Sequence, residues 1–123
     1  MIQTQTNELE FEKARLINLL AAYGIREPIL SAFDQVPRHF FVSRNLWDAA
    51  YEDHALLIDE GQTISQPTLV AEMLQVLELK GTEKVLEVGT GSGFGAALLG
   101  KLVKTVYTIE LLPSLAKKAK ARI

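Results

Sequence analysis

Cysteine is absent from the chain. That excludes disulfides, thiolate nucleophiles and cysteine-ligated zinc. Histidine occurs only as His39 and His54, neither with a partner at ligand spacing, so structural roles are expected for them and no metal site is assigned. An excess of one charge is also lacking. The 13 basic and 15 acidic residues leave a formal net charge of −2, which gives no electrostatic basis for binding nucleic acid or an anionic membrane. No apolar run reaches the ~20 residues of a membrane span. The opening "MIQTQTNELEFEKARL" lacks the apolar stretch of a secretory signal, so a soluble, cytoplasmic protein is expected. What is present is 48% apolar and 23% charged residues over 123 positions, the make-up of one globular domain with a real core.

Hydrophobic periodicity orders the chain. A first helix is expected from about Glu8 to Tyr23, capped by Asn7 with Glu10 in a capping-box position. Its apolar face would carry Leu9, Leu16, Leu19, Leu20 and Tyr23, and Gly24 would close it. A short helix should begin near Glu27 and Pro28 and end before Pro37. The stretch from Val36 to Pro67 has no sustained period and reads as a long functional connection. Its aromatics, Phe40, Phe41, Trp47 and Tyr51, suggest that it is packed, with Arg38 and His39 pinning it. "SQPTLVAEMLQVLELKG" reads as a helix with Pro67 at N1, a cap from Ser65 or Gln66, an apolar face of Leu69, Val70, Met73, Leu74 and Leu77, and Gly81 as its stop. Then "KVLEVG", "GFGAALLGKLV", "TVYTIEL" and "PSLAKKAKARI" alternate strand and helix. This is the βαβα pattern of a parallel α/β sheet. Lys117 to Arg122 read as the solvated face of the last helix.

Four glycines alternate through "VLEVGTGSGFG": Gly89, Gly91, Gly93 and Gly95. A Gly-rich turn between strand and helix lets a ligand press against bare backbone near a helix N-terminus. Two adenosine cofactors use such turns. The dinucleotide pattern G-x-G-x-x-G is broken by Phe94, although Gly91, Gly93 and Ala96 satisfy its G-x-G-x-x-A variant. The denser E-x-G-x-G-x-G run suits S-adenosylmethionine better, and Glu87 could hold the cofactor's amine or sit in an ion pair. Glu110 ends the next strand about 20 residues on, where an acid can accept both ribose hydroxyls. That feature serves either cofactor.

The residues before the loop narrow the choice. "VPRHFFV", "AYEDHALLIDEGQTISQPTLVAEML" and "VLEVGTGSGFGAALL" together resemble the protein-L-isoaspartate O-methyltransferase family in its bacterial form, from about Lys13 onward. The resemblance implies an α/β fold, that of a Class I (Rossmann-like) S-adenosylmethionine-dependent methyltransferase. An N-terminal helical and substrate-loop region would cover residues 1–80, and the first βαβα part would cover residues 81–123. It implies methyl transfer from S-adenosylmethionine to the α-carboxylate of L-isoaspartyl residues in damaged proteins, a repair reaction that leaves S-adenosylhomocysteine. Thr63, Ile64 and Ser65 would border the cofactor and the acceptor, with Ser65 as the catalytic residue. Glu87, Gly89, Thr90, Gly91, Ser92, Gly93 and Glu110 would bind the cofactor. The acceptor is already an anion at neutral pH, so no general base is required.

The chain departs from the family at Leu57, Asp59 and Thr68, where Pro, Gly and an aromatic or His are frequent. Family members also continue past the second α/β unit. The expectation is therefore an incomplete sheet, activity reduced or lost, and exposed strand edges through which a homodimer could form. A non-catalytic fragment or a methyltransferase of another acceptor class are the alternatives.

Overall fold

The computed structural model describes residues 2–123, with side chains described from residue 4. Helix α1 spans Ile2–Ala22 and α2 spans Ile29–Gln35. Two 3₁₀ turns follow, Arg38–Phe41 and Arg44–Ala49. A short antiparallel ribbon pairs β1 (Leu56–Leu57) with β2 (Thr63–Ile64). Then come α3 (Pro67–Val76), β3 (Lys84–Val88), α4 (Phe94–Gly100), β4 (Thr105–Ile109) and α5 (Pro113–Arg122). β3 and β4 run parallel, with Glu87 opposite Thr108 and Val88 opposite Ile109. Among the described residues no third strand joins them.

Helix α1 starts well before Asn7, which is therefore interior and not a cap. Gln5 anchors the early turns by accepting a 3.1 Å bond from Arg44, and Glu10 pairs with Lys13 at 3.2 Å instead of capping. The buried stripe is Leu16 and Leu20 with Leu9 and Ile17 beside them, while Leu19 and Tyr23 face outward. At the other end Gly24 takes φ +97°. Its amide bonds to Ala21 and that of Ile25 bonds to Leu20, both at 3.0 Å. This Schellman closure brings buried Ile25 onto buried Leu20.

In α2 the spacing of Ile29, Ala32 and Phe33 buries one face, each large side chain contributing about 1.5–3 kcal/mol. Helix α3 ends at Val76, short of Gly81, and Glu78 rather than Gly81 is the left-handed residue just after it. Its buried positions are Pro67, Thr68, Ala71 and Leu74. Leu69, Met73 and Leu77, expected inside, are exposed. One core joins α1, α2, α3 and α4 through Leu20, Phe33, Leu74, Phe94 and Leu98. Phe94 anchors it, edge-on to Phe33 at 5.7 Å and to Phe41 at 5.4 Å. Phe40, expected in the core, is 56% exposed and stacks on the surface beside His39 and Trp47.

Candidate functional site

The glycine loop joins β3 to α4. Gly89, Gly91 and Gly93 all have positive φ, a conformation that costs other residues about 1 kcal/mol or more. Side chains added at Gly89 or Gly91 would meet nothing within 4 Å. The backbone there is bare and open, a cradle suited to a ligand. Gly93 differs: an added Cβ would lie 3.1 Å from Ala119 and 3.2 Å from Ile123, so this glycine lets α5 close against the loop. Arg122 of α5 donates to the Ser92 carbonyl at 3.2 Å.

A cleft of about 600 Å³ opens beside the loop. Its walls are Thr63, Ile64 and Ser65 at one end, Gly89 to Ser92 opposite them, the length of β3, and the exposed side of α3. Among the described residues the Ser65 hydroxyl makes no hydrogen bond, leaving it free to serve a ligand. Of the residues anticipated for the site, Gly93 and Glu110 lie off the cleft wall; the other eight line it.

Both acids near the loop are engaged. Thr108 donates to Glu87 at 2.7 Å, and the Thr90 and Thr108 hydroxyls are 2.6 Å apart. A hydroxyl has one proton to give, so Thr90 donates to Thr108 and a directed chain runs from loop to strand. Burial raises the Glu87 carboxyl above its usual range, against the Thr108 bond. Glu110 accepts from the amides of Gly91 at 2.7 Å and Leu112 at 3.1 Å. Those bonds, Leu112 first, hold its carboxyl below the usual range. It braces the loop through the Gly91 amide.

Ser65 is positioned from behind. Arg38 is 1% exposed. Its Nε donates to Ala50 at 2.8 Å, and its Nη2 to His54 at 3.2 Å and Ser65 at 3.0 Å, all carbonyls. The guanidinium lies 5.1 Å from the Phe94 ring centre. Desolvation lowers its pKa to about 10, with Asp53 opposing. Arg38 thus ties the Ser65 backbone to the core side chain that starts α4. His39 is buried against Tyr51, 2.8 Å from the phenol oxygen, and burial pushes the Tyr51 hydroxyl up to about 12.

Asp53 escaped the sequence reading. Its carboxylate accepts from the Thr68 amide at 2.9 Å, the Thr68 hydroxyl at 2.5 Å and the Gln66 amide nitrogen at 3.1 Å. It caps α3 from outside, in place of Ser65 or Gln66, which frees Ser65. The nearest signal was a polar Thr68 in the first turn of an apolar helix. The ribbon is held on its other side by an Asp59–Lys118 ion pair and by Ser114 donating to Glu60 at 2.9 Å. Among the described residues no cluster of side chains could hold a metal ion, and no helix is long and apolar enough to cross a membrane.

Comparison with known proteins gives a consistent answer. The family model "Protein-L-isoaspartate(D-aspartate) O-methyltransferase (PCMT)" matches residues 11–123. A protein-L-isoaspartate O-methyltransferase 1 of Geotalea uraniireducens is 53% identical over 85% of this chain and 48% of its own length. The Dictyoglomus turgidum enzyme is 49% identical over 93% of this chain and 52% of its own. The chain therefore spans about half the length of the curated relatives it matches. A solved protein-L-isoaspartate O-methyltransferase superimposes with a TM-score of 0.82 at 30% identity, over 89% of this chain and 37% of that one. A Plasmodium falciparum structure described as a beta-aspartate methyltransferase in complex with S-adenosyl-L-homocysteine superimposes with a TM-score of 0.72 at 27% identity, over 91% and 54%.

Proposed function

The chain belongs to the protein-L-isoaspartate O-methyltransferase family, and we propose from that membership that its cleft takes S-adenosylmethionine at the glycine loop and presents an L-isoaspartyl carboxylate at Ser65. The observation that carries this reading is the free Ser65 hydroxyl in the wall of the same cleft as the bare Gly89–Gly91 backbone. The residues present fit the group: open backbone on one side, a hydrogen-bonding hydroxyl on the other, and, among the described residues that line the cleft, no cation to compete with a sulfonium.

When bound, the cofactor supplies an electrophilic methyl group on positively charged sulfur. The chain's part is alignment and exclusion of water. Gly89 to Ser92 would hold the methionine end, and Thr63 and Ile64 would wall the methyl-bearing side. Glu87 lines the cleft as well, and would turn its second oxygen from Gly95 toward the cofactor amine. Glu110 would offer lone pairs to the ribose while keeping its loop amides. Ser65 would donate to one carboxylate oxygen of the acceptor and aim the other at the methyl carbon. Transfer would form a carbon–oxygen bond as the carbon–sulfur bond breaks, leaving the thioether, with no proton to move. The substrate class, isoaspartyl-containing peptides and proteins, comes from the family, and full turnover would draw on the remainder of the relatives' length.

Titration with S-adenosylhomocysteine and NADH by calorimetry tests the cofactor, and methyl incorporation into an isoaspartyl peptide tests the reaction. Binding of S-adenosylhomocysteine alone is expected; binding of NADH alone would overturn the reading. Ser65→Ala should slow methyl transfer about 10–100-fold, the worth of one hydrogen bond to a charged group, with S-adenosylhomocysteine affinity within about twofold. A fall confined to cofactor affinity would remove Ser65 from acceptor positioning.

A further inference from the structure

One helix outside the cleft grips both of its ends. Ser114, Lys118 and Arg122 recur every fourth residue along α5, so they share one stripe of that helix. The first two meet the ribbon: Ser114 donates to Glu60 at 2.9 Å, and Lys118 pairs with Asp59. The third meets the glycine loop, where Arg122 donates to the Ser92 carbonyl at 3.2 Å. The ribbon cannot hold its place alone. Each strand has two residues, paired Leu56 with Ile64 and Leu57 with Thr63, and so short a hairpin is marginal in water. Its root is fixed, since Ile64 is buried and Arg38 holds the Ser65 carbonyl. Its tip is not. Residues 59–63 are exposed, and Glu60 stands at φ 62°, a left-handed conformation that persists in such a residue only where the surroundings hold it. Among the described residues, the tip's hydrogen-bonding partners outside the ribbon are Ser114 and Lys118.

We propose that α5 is a strut that holds the ribbon wall of the cleft at a set gap from the glycine loop, with Lys118 as a positioning residue acting through Asp59. Lys118 itself does not line the cleft, whereas Thr63 of the ribbon and Ser92 of the loop both do. Hydrogen bonding from Lys118 holds the Asp59 carboxyl below its usual range, with Arg122 adding to the effect, so the carboxylate is ionised at neutral pH. Both partners are about half exposed, which makes the pair weak and open to screening by salt. Such a contact suits a tether that opens and closes. Released, the tip carries Thr63 away from the glycine loop and widens that end of the cleft, and a cofactor on the loop leaves sooner. That consequence rests on the function proposed above; the strut does not.

Amide exchange on the chain alone tests the strut. Lys118→Met should speed exchange at residues 58–64 about two- to fivefold, the range for an exposed ion pair. Lys118→Met combined with Ser114→Ala should speed it about threefold or more. Residues 13–20 of α1 should not change, which separates local opening from global melting. Asp59→Lys should loosen the ribbon as well, and Asp59→Lys combined with Lys118→Asp should restore the parent rate. Salt at about 0.5 M should loosen the parent but not Lys118→Met. Lys117 is exposed and makes none of these contacts, so Lys117→Gly weakens only the helix. It should speed exchange at residues 58–64 and 91–94 together. Unchanged exchange in the Lys118→Met, Ser114→Ala variant, no recovery in the charge swap, or a Lys117→Gly response in only one of the two segments would each overturn the proposal. S-adenosylhomocysteine separates the two ideas. It should dissociate about threefold faster or more from the Lys118→Met, Ser114→Ala variant, and an unchanged rate would remove Lys118 from positioning. A chain with the expected exchange but no affinity for S-adenosylhomocysteine would sink the proposed function and leave the strut standing.

Discussion

Gly95 is a glycine for a different reason from the three before it. Its φ is not in the left-handed region, but a Cβ there would lie 2.5 Å from a carboxylate oxygen of Glu87. The acid is wedged between β3 and the first turn of α4. The atom met is the free end of a flexible side chain, which can give way, so Gly95→Ala should destabilise the chain by no more than about 1 kcal/mol, the low end of the cost of overpacking. In a Glu87→Ala background the same change should become neutral or stabilise by up to about 1 kcal/mol, the helix preference of Ala over Gly. Urea melts of the four variants read this coupling, and equal effects in both backgrounds would refute the contact. A pH test reaches the same residue. Burial holds the Glu87 carboxyl above its ordinary range, so the folded chain binds that proton more tightly than the unfolded one. Its stabilising contribution is complete below the ordinary carboxylate pKa and is lost as pH rises through the raised value. Glu87→Gln removes that slope, so its stability relative to the parent chain should rise as pH climbs above the ordinary carboxylate pKa and through the raised one. A constant difference across that range would show that burial does not bear on the charge. The acid before the loop and the acid after it were both legible in the sequence. Their partners were not, because Thr108 reaches Glu87 through strand register and Gly91 reaches Glu110 through the fold of the loop.

Among the elements, α3 shows how local and tertiary signals diverge. Its existence and its Pro67 start follow from residue type, since proline at N1 needs no amide partner. Its cap does not, because the capping carboxylate comes from Asp53, fourteen residues before Pro67. Nor does its buried side. Leu69, Met73 and Leu77 satisfy a helical apolar stripe, but all three are exposed and not in the core, and Met73 and Leu77 line the cleft. Amphipathicity says that a face seeks cover without saying what covers it. Burial works against the Asp53 charge, but the Thr68 and Gln66 bonds prevail and hold its carboxyl below the ordinary range. The stability it adds is thus present above that range and lost as pH falls through the lowered value. Asp53→Ala should cost about 1 kcal/mol at pH 7, as loss of a helix cap does, and clearly less near pH 3. Denaturant melts at the two pH values measure it, and a cost unchanged at pH 3 would mean that the carboxylate charge plays no part. Because the same acid also holds Gln66, the variant should loosen amide exchange at residues 65–68 before the chain melts globally.

At the scale of the whole molecule, the βαβα alternation and the parallel pairing were legible because strand and helix periods differ so plainly. The one-sidedness of the sheet was not, because a run such as "KVLEV" reads the same whether one of its faces is covered or both are. Here the Val85 and Val106 side is covered, and Tyr107 and Ile109 look outward at 57% and 54% exposure. Those side chains contribute little to folding, since most of their surface stays in water. They contribute to whatever meets that face. Replacing both, as Tyr107→Lys with Ile109→Lys, should leave the melting temperature within about 4 °C, the shift that roughly 1 kcal/mol produces in a chain of this size. The same variant should lower dye binding to exposed apolar surface and reduce concentration-dependent association. A large loss of melting temperature with no change in association would mean that the face is already covered within the chain, and the view of a sheet finished on one side only would have to be abandoned.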